Sequence, residues 1–131
     1  MKTKVIFEGR KISGGDFTNY ITYDEEVSIG EGFDASTGTF TTPMDGLYQF
    51  TFSGRSGYAK DVTYIRVYKN GSETVVISDR NEAGHGNSVT FIWHMELSKN
   101  DKIRIKIDSD DLLFAGDTSP IIWTGQLLHK M

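Results

Sequence analysis

Apolar and polar residues alternate with a period of two along much of the chain. Tyr48, Phe50 and Phe52 alternate with Gln49, Thr51 and Ser53. Val89, Phe91, Trp93, Met95 and Leu97 share one face of a run whose other face carries Thr90, Ile92, His94 and Glu96. Ile103, Ile105 and Ile107 alternate with Arg104, Lys106 and Asp108. Each run predicts a β-strand with one buried face. No stretch holds the i, i+3, i+4, i+7 apolar spacing of an amphipathic helix through three turns, so almost no helix is expected. Asn70-Gly71 separates YIRVYK from SETVVI. It predicts a tight hairpin, because both turn positions need φ > 0. Asp45-Gly46 and Asn100-Asp101 mark two further turns. Many short strands with frequent turn signals predict about ten strands in one antiparallel, two-sheet sandwich or barrel. No internal repeat, low-complexity tract or linker interrupts the pattern, so residues 1–131 read as a single domain.

Composition narrows the chemistry more than the fold. A chain of 131 residues can bury a sizeable core without a disulfide or a metal. It has no cysteine, which excludes zinc–thiolate sites, thiol nucleophiles and disulfide frameworks. The net charge is −4, and no basic block stands out along the sequence. Nucleic acid is therefore not an expected partner. No apolar run approaches the length that spans a bilayer, so membrane insertion is not expected. The apolar patch Val5–Phe7 is too short for a signal peptide, and a secreted protein would carry its signal upstream of this chain.

Few residues suggest catalysis. His85 lies in the Gly-rich segment AGHGNS, His94 within a strand and His129 near the C-terminus, and none has metal-pair spacing. His94 reads as a solvent- or partner-facing strand residue. His85 reads as a loop residue, with ligand contact or pH sensing as the alternative. Ser88 lies close to His85, but no nucleophile elbow is present. The glycines of IGEGFDASTG lack the Lys-Ser/Thr ending of a phosphate loop, and no helix is predicted after them; they read as a turn between strands. Asp108, Asp110, Asp111 and Asp117 form an acidic stretch. It reads as a solvated loop, with a weak or shared Ca²⁺ site as the alternative. Asn70-Gly71-Ser72 is an N-glycosylation sequon at the predicted hairpin tip, although the turn itself explains these residues.

The segment ITYDEEVSIGEGFDASTGTFTTPMDGLYQFTFSG, residues 21–54, resembles the front half of a C1q domain. Tyr23, Asp24, Gly30, Gly32, Phe33, Asp34, Gly38, Phe40, Pro43, Gly46, Tyr48 and Phe50 stand at that family's spacing. Val5–Phe7 is similar to its first strand, Val67–Gly71 to its hairpin, and Trp123–Leu128 to its closing Phe-Ser-Gly-Phe-Leu-Leu, with Gly125 at the glycine. Trp123 replaces Phe, Ser28 replaces the usual Asn, and Asn100-Asp101 stands in place of Gly-Asp. Gly30, Gly38 and Gly46 read as tight-turn residues and Pro43 as a fixed φ at a strand entrance. Tyr48 and Phe50 read as filling between the sheets.

The resemblance implies a ten-stranded jelly roll of the C1q and tumour necrosis factor type. It also implies a secreted, non-catalytic homotrimer that binds carbohydrate, microbial-surface or protein ligands. A structural trimeriser and a receptor-binding signalling ligand are the alternatives. No collagen-like Gly-X-Y stalk occurs within these residues. Some members hold Ca²⁺ near the trimer apex. The position here that matches the first ligand is Asp79, whereas the second falls at His85–Asn87, which has no carboxylate. No cofactor is required, and Ca²⁺ is the one candidate. The resemblance places recognition in the loops that carry His85, Asn87, Asp110, Asp111 and Asp117. Apart from the resemblance, Ile92 and His94 opposite the buried face of their strand would be costly to leave in water; a threefold contact would bury them, with cover inside the monomer as the alternative.

Overall fold

A computed structural model describes residues 4–12, 20–56, 62–80, 88–107, 113–114 and 120–131. The strands among them are β1 (Ile6–Lys11), β2 (Glu25–Ile29), β3 (Phe33–Asp34), β4 (Thr39–Thr41), β5 (Gly46–Ser56), β6 (Val62–Lys69), β7 (Ser72–Arg80), β8 (Ser88–Leu97), β9 (Lys102–Ile107), β10 (Leu113–Phe114) and β11 (Ile121–Lys130). No helix occurs among the described residues.

Two antiparallel sheets form. The first runs β8-β5-β11-β1-β2 and the second β3-β4-β9-β6-β7. The two-residue β10 lies against β5 beyond the end of β11, since Arg55 pairs with Ser88 on one side and Phe114 on the other. The remaining ten strands are the jelly roll that residues 21–54 led one to expect. The chain passes between the sheets repeatedly, as in the steps β2 to β3, β4 to β5 and β5 to β6. Neighbours within a sheet are therefore mostly remote in sequence.

The alternation fixes which side chains meet between the sheets. Tyr48, Phe50 and Phe52 from β5 and Trp93, Met95 and Leu97 from β8 point inward. Phe7 from β1 and Ile121 and Trp123 from β11 complete the first layer, and Phe40, Ile65, Val67, Ile103 and Ile105 form the second. Aromatic rings dominate the centre: Phe7 stacks on Phe33 and Phe40 at 4.4 and 4.7 Å between centroids and meets Trp123 edge-on at 4.9 Å. Offset and edge-to-face pairs of this kind add to the burial of their area.

The chain bends at all three predicted turns, and two of them use a positive φ. Asn70 and Gly71 have φ of +53° and +84° and join β6 to β7. Asn100 takes φ +73° between β8 and β9. Gly46 differs: it is the first residue of β5 and has no positive φ. The bend occupies residues 43–45, where Tyr48 Oη donates to the Met44 carbonyl at 2.7 Å. Gly46 is needed for a close approach instead, because a Cβ there would lie 2.5 Å from Leu127 Cδ1 and 2.8 Å from the His129 carbonyl oxygen.

Candidate functional site

The outward faces of the two sheets differ in chemistry. On the first sheet the register lines up three rungs. Ile29, Ile6, Gln126, Gln49 and His94 form one; Val27, Glu8, Thr124, Thr51 and Ile92 form the next; Glu25, Arg10, Ile122, Ser53 and Thr90 form the third. On these rungs β5 and β11 thus present mainly uncharged hydrogen-bonding groups. Gln126 Nε2 donates to Gln49 Oε1 at 2.7 Å, and the Thr51 and Thr124 hydroxyls bond to each other. The edge strands carry exposed apolar groups: Ile92 is 61% exposed, Val27 67% and Ile29 54%. On these three rungs the carboxylates and the guanidinium lie on β1 and β2, where Arg10 Nε donates to Glu8 Oε2 at 3.0 Å; Glu96 adds an exposed carboxylate one rung further along β8.

Ile92 and His94 therefore sit where the alternation put them, outward on β8 and not covered within the protomer. Sequence reasoning missed their companions Val27, Ile29 and Ile6. The apolar-polar alternation within EEVSI was the signal that could have found them. The structure then adds what alternation cannot, namely that the β2 residues share rungs with β8 across three intervening strands.

The expected recognition residues are placed less fully. Asp79 lies in β7 opposite Thr63, and its side chain is outside the described residues, as are His85, Asn87, Asp110, Asp111 and Asp117. Among the described residues no group of three or more His, Asp or Glu side chains could hold a metal ion. His94 and His129 are exposed and lie opposite Gln49 and Leu47.

The sequon residue Asn70 has a structural task. Its Nδ2 donates to Asp101 Oδ1 at 3.0 Å, and its Oδ1 accepts from the Lys102 amide at 2.9 Å. Asp101 Oδ2 also accepts from the Ser98 amide at 2.8 Å. Two turns are thereby tied into one unit. Desolvation raises the Asp101 pKa, but the bonds from Asn70 and Ser98 and the nearby Lys69 ammonium outweigh it, and the carboxyl titrates below its ordinary value of 3.8. A depressed native pKa stabilises fully above the unfolded value and loses that contribution as pH falls through the native one. Asn70→Asp would set two carboxylates against each other. It is expected to cost about 1 kcal/mol at neutral pH, with the deficit shrinking below about pH 4 as the carboxyls protonate. Thermal melts of both proteins at the two pH values check this; an equal deficit at both would refute it.

The second sheet presents a different outer surface. Lys102, Arg104 and Lys106 alternate with the buried Ile103 and Ile105 on β9. A depression of about 400 Å³ opens beside them, lined by Asp34, Thr37, Thr39, Thr41, Lys102 and Arg104. Arg104 lies over the Tyr20 ring at 3.8 Å from its centroid and donates from Nη2 to the Thr37 carbonyl at 2.9 Å.

Known proteins resemble the chain in sequence and fold. Residues 8–128 match the model of the C1q domain. Complement C1q tumor necrosis factor-related protein 3 of mouse and of human is 26% identical over 87 residues, which is 66% of this chain and 35% of each relative. The match thus spans about a third of the length of those relatives. The globular domain of zebrafish complement 1qA superposes with a TM-score of 0.76 at 18% identity, covering 97% of this chain and 99% of that one. Murine APRIL superposes with a TM-score of 0.73 at 12% identity, covering 95% of this chain and all of that one. With the family pattern running almost from end to end over a two-sheet jelly roll, the chain belongs to the C1q domain family.

Proposed function

We propose that the chain is a non-catalytic, extracellular recognition module that assembles as a homotrimer and binds carbohydrate, microbial-surface or protein ligands. Domains of this family are generally extracellular and trimeric, and its members are generally non-enzymatic. The observation that carries the assembly is the outer face of the first sheet. It combines exposed Ile92, Val27 and Ile29 with a neutral centre of Gln49, Thr51, Thr124 and Gln126. An isolated protomer leaves these apolar groups in water, whereas a threefold contact removes them from it without burying a charge at the centre. The loops of His85, Asn87, Asp110, Asp111 and Asp117 are assigned to ligand contact, and Asp79 is the Ca²⁺ candidate.

Light scattering on the eluting protein tests the assembly. The expected mass is three times the 14.7 kDa protomer; a monomer at micromolar concentration refutes it. Ile92→Arg is expected to yield monomer with little change in protomer fold, because burying an isoleucine is worth roughly 1.5–3 kcal/mol and the substituted charge would be desolvated. A surface-glycan panel, with and without Ca²⁺, tests the ligand class. Absence of binding to any polysaccharide in either condition removes the carbohydrate reading.

A further inference from the structure

The outer face of the second sheet carries a stripe of cations, although the chain as a whole is acidic. Lys102, Arg104 and Lys106 project from the same face of β9, so successive cations repeat every ~6.7 Å. Strand β6 sets Arg66 beside Lys106 and Tyr68 beside Arg104, and β4 sets Thr41 beside Lys102. Two strands remote from β9 in sequence thus extend the stripe into a surface.

The cations differ in how they are held. Arg104 is fixed between the Tyr20 ring and the Thr37 carbonyl. Its guanidinium therefore loses little rotamer freedom on meeting a ligand. The Lys106 ammonium lies over the same ring, 5.9 Å from its centroid. Lys102 is exposed, with no carboxylate within ion-pair distance among the described residues. Among the described residues, the acids Glu73 and Asp34 on this face already have partners: Glu73 holds Arg66 at 3.1 Å, and Asp34 Oδ1 accepts from the Ser36 hydroxyl at 2.6 Å and its amide at 3.0 Å.

We propose that this face, centred on the depression between β4 and β9, binds carboxylated or sulfated polysaccharide. An acidic group would sit at Lys102 and Arg104. The Asp34 carboxylate and the hydroxyls of Thr39 and Thr41 would take the neighbouring sugar hydroxyls. Charge complementarity selects the anion, and the hydroxyl lining selects a sugar. A duplex nucleic acid, with a charge every ~1.7 Å, asks for a longer basic track and offers few hydroxyls to the Asp34 carboxylate. The proposal adds a second ligand surface, apart from the loops assigned above, and it rests on the recognition reading only in that three copies per trimer would raise a weak single-site affinity by avidity.

Immobilised polygalacturonate and heparin are the probes, with neutral dextran and single-stranded DNA beside them. The two acidic polymers distinguish a carboxylate from a sulfate preference. Wild-type protein is expected to bind at least one of them in a salt-sensitive way and to leave dextran unbound. Lys102→Gln with Lys106→Gln is expected to weaken binding about fivefold or more. The charge-matched pair Lys4→Gln and Lys130→Gln is expected to leave binding unchanged, with melting temperatures confirming that both variants fold. Equal binding by both double variants, preference for DNA, or binding to dextran alone overturns the site; dextran binding alone leaves the recognition module standing. A monomer that binds heparin and is weakened by the Lys102 and Lys106 changes keeps the site and removes the trimer.

Discussion

Trp123→Ala is expected to lower the free energy of unfolding by about 3–5 kcal/mol. That is a large share of the total for a domain of this size, so the variant should melt far below the parent or fail to accumulate. Trp123 is fully buried on β11 and touches rings from both sheets. It lies face to face with Phe50 at 6.0 Å between centroids and edge-on to Phe7 and Phe33 at 4.9 and 5.8 Å. Phe7 and Phe50 are themselves fully buried, and close-packed rings cannot collapse into the space that an indole leaves. Trp123→Phe should cost much less, on the order of 1 kcal/mol. The indole Nε1 finds no hydrogen-bond partner among the described residues, so phenylalanine gives up no bond to them while losing part of the volume. Denaturant unfolding of the three proteins measures both differences. Equal losses for the alanine and phenylalanine variants would show that the ring cluster does not behave as one packed unit.

Gly38→Ala is expected to cost roughly 3 kcal/mol or more, from backbone conformation and collision together. Gly38 closes the β3–β4 hairpin with φ +70°, and its N–H donates to the Asp34 carbonyl at 2.9 Å. A Cβ would stand 1.8 Å from the Ile21 carbonyl oxygen. That oxygen belongs to a pinned segment: the Ile21 amide donates to the Ile105 carbonyl at 2.8 Å and the Tyr23 amide to the Ala35 carbonyl at 2.9 Å. The clash can be relieved only by loosening those bonds. Gly71→Ala separates the two costs. It shares a positive φ of +84° but has nothing within 4 Å of the added atom, so it should lose only the ~1–2 kcal/mol of the left-handed conformation. If the two variants melt alike, the collision is absorbed and the hairpin is softer than its hydrogen bonds imply.

Gly38 was readable as a turn residue because its requirement is local: four residues must double back within the hairpin. Gly46 was misread for the opposite reason. What excludes a side chain there is Leu127 and the His129 carbonyl, brought from the far end of the chain. The outward direction of Ile92 followed from alternation alone, since its neighbours Trp93 and Phe91 had to face the core; its exposure was decided by the tertiary structure. The candidate ligand loops could be named from resemblance but not built, because loop conformation is set by contacts that no short-range rule supplies.

The sequence by itself determined the class of fold and the inward face of most strands. Side-chain direction in a strand has period two, so a run such as KIRIKI settles its own faces without reference to any other residue. Its turn residues and the motif in residues 21–54 settled the family. The tertiary structure alone decided which strands lie side by side and in what register. Through that register Val27 and Ile29 of β2 share a face with Ile92 and His94 of β8, and Lys102, Arg104 and Lys106 join Arg66 and the threonines of β4. Both candidate surfaces are products of long-range pairing, in which strands brought together from distant parts of the chain convert a local alternation into a two-dimensional pattern.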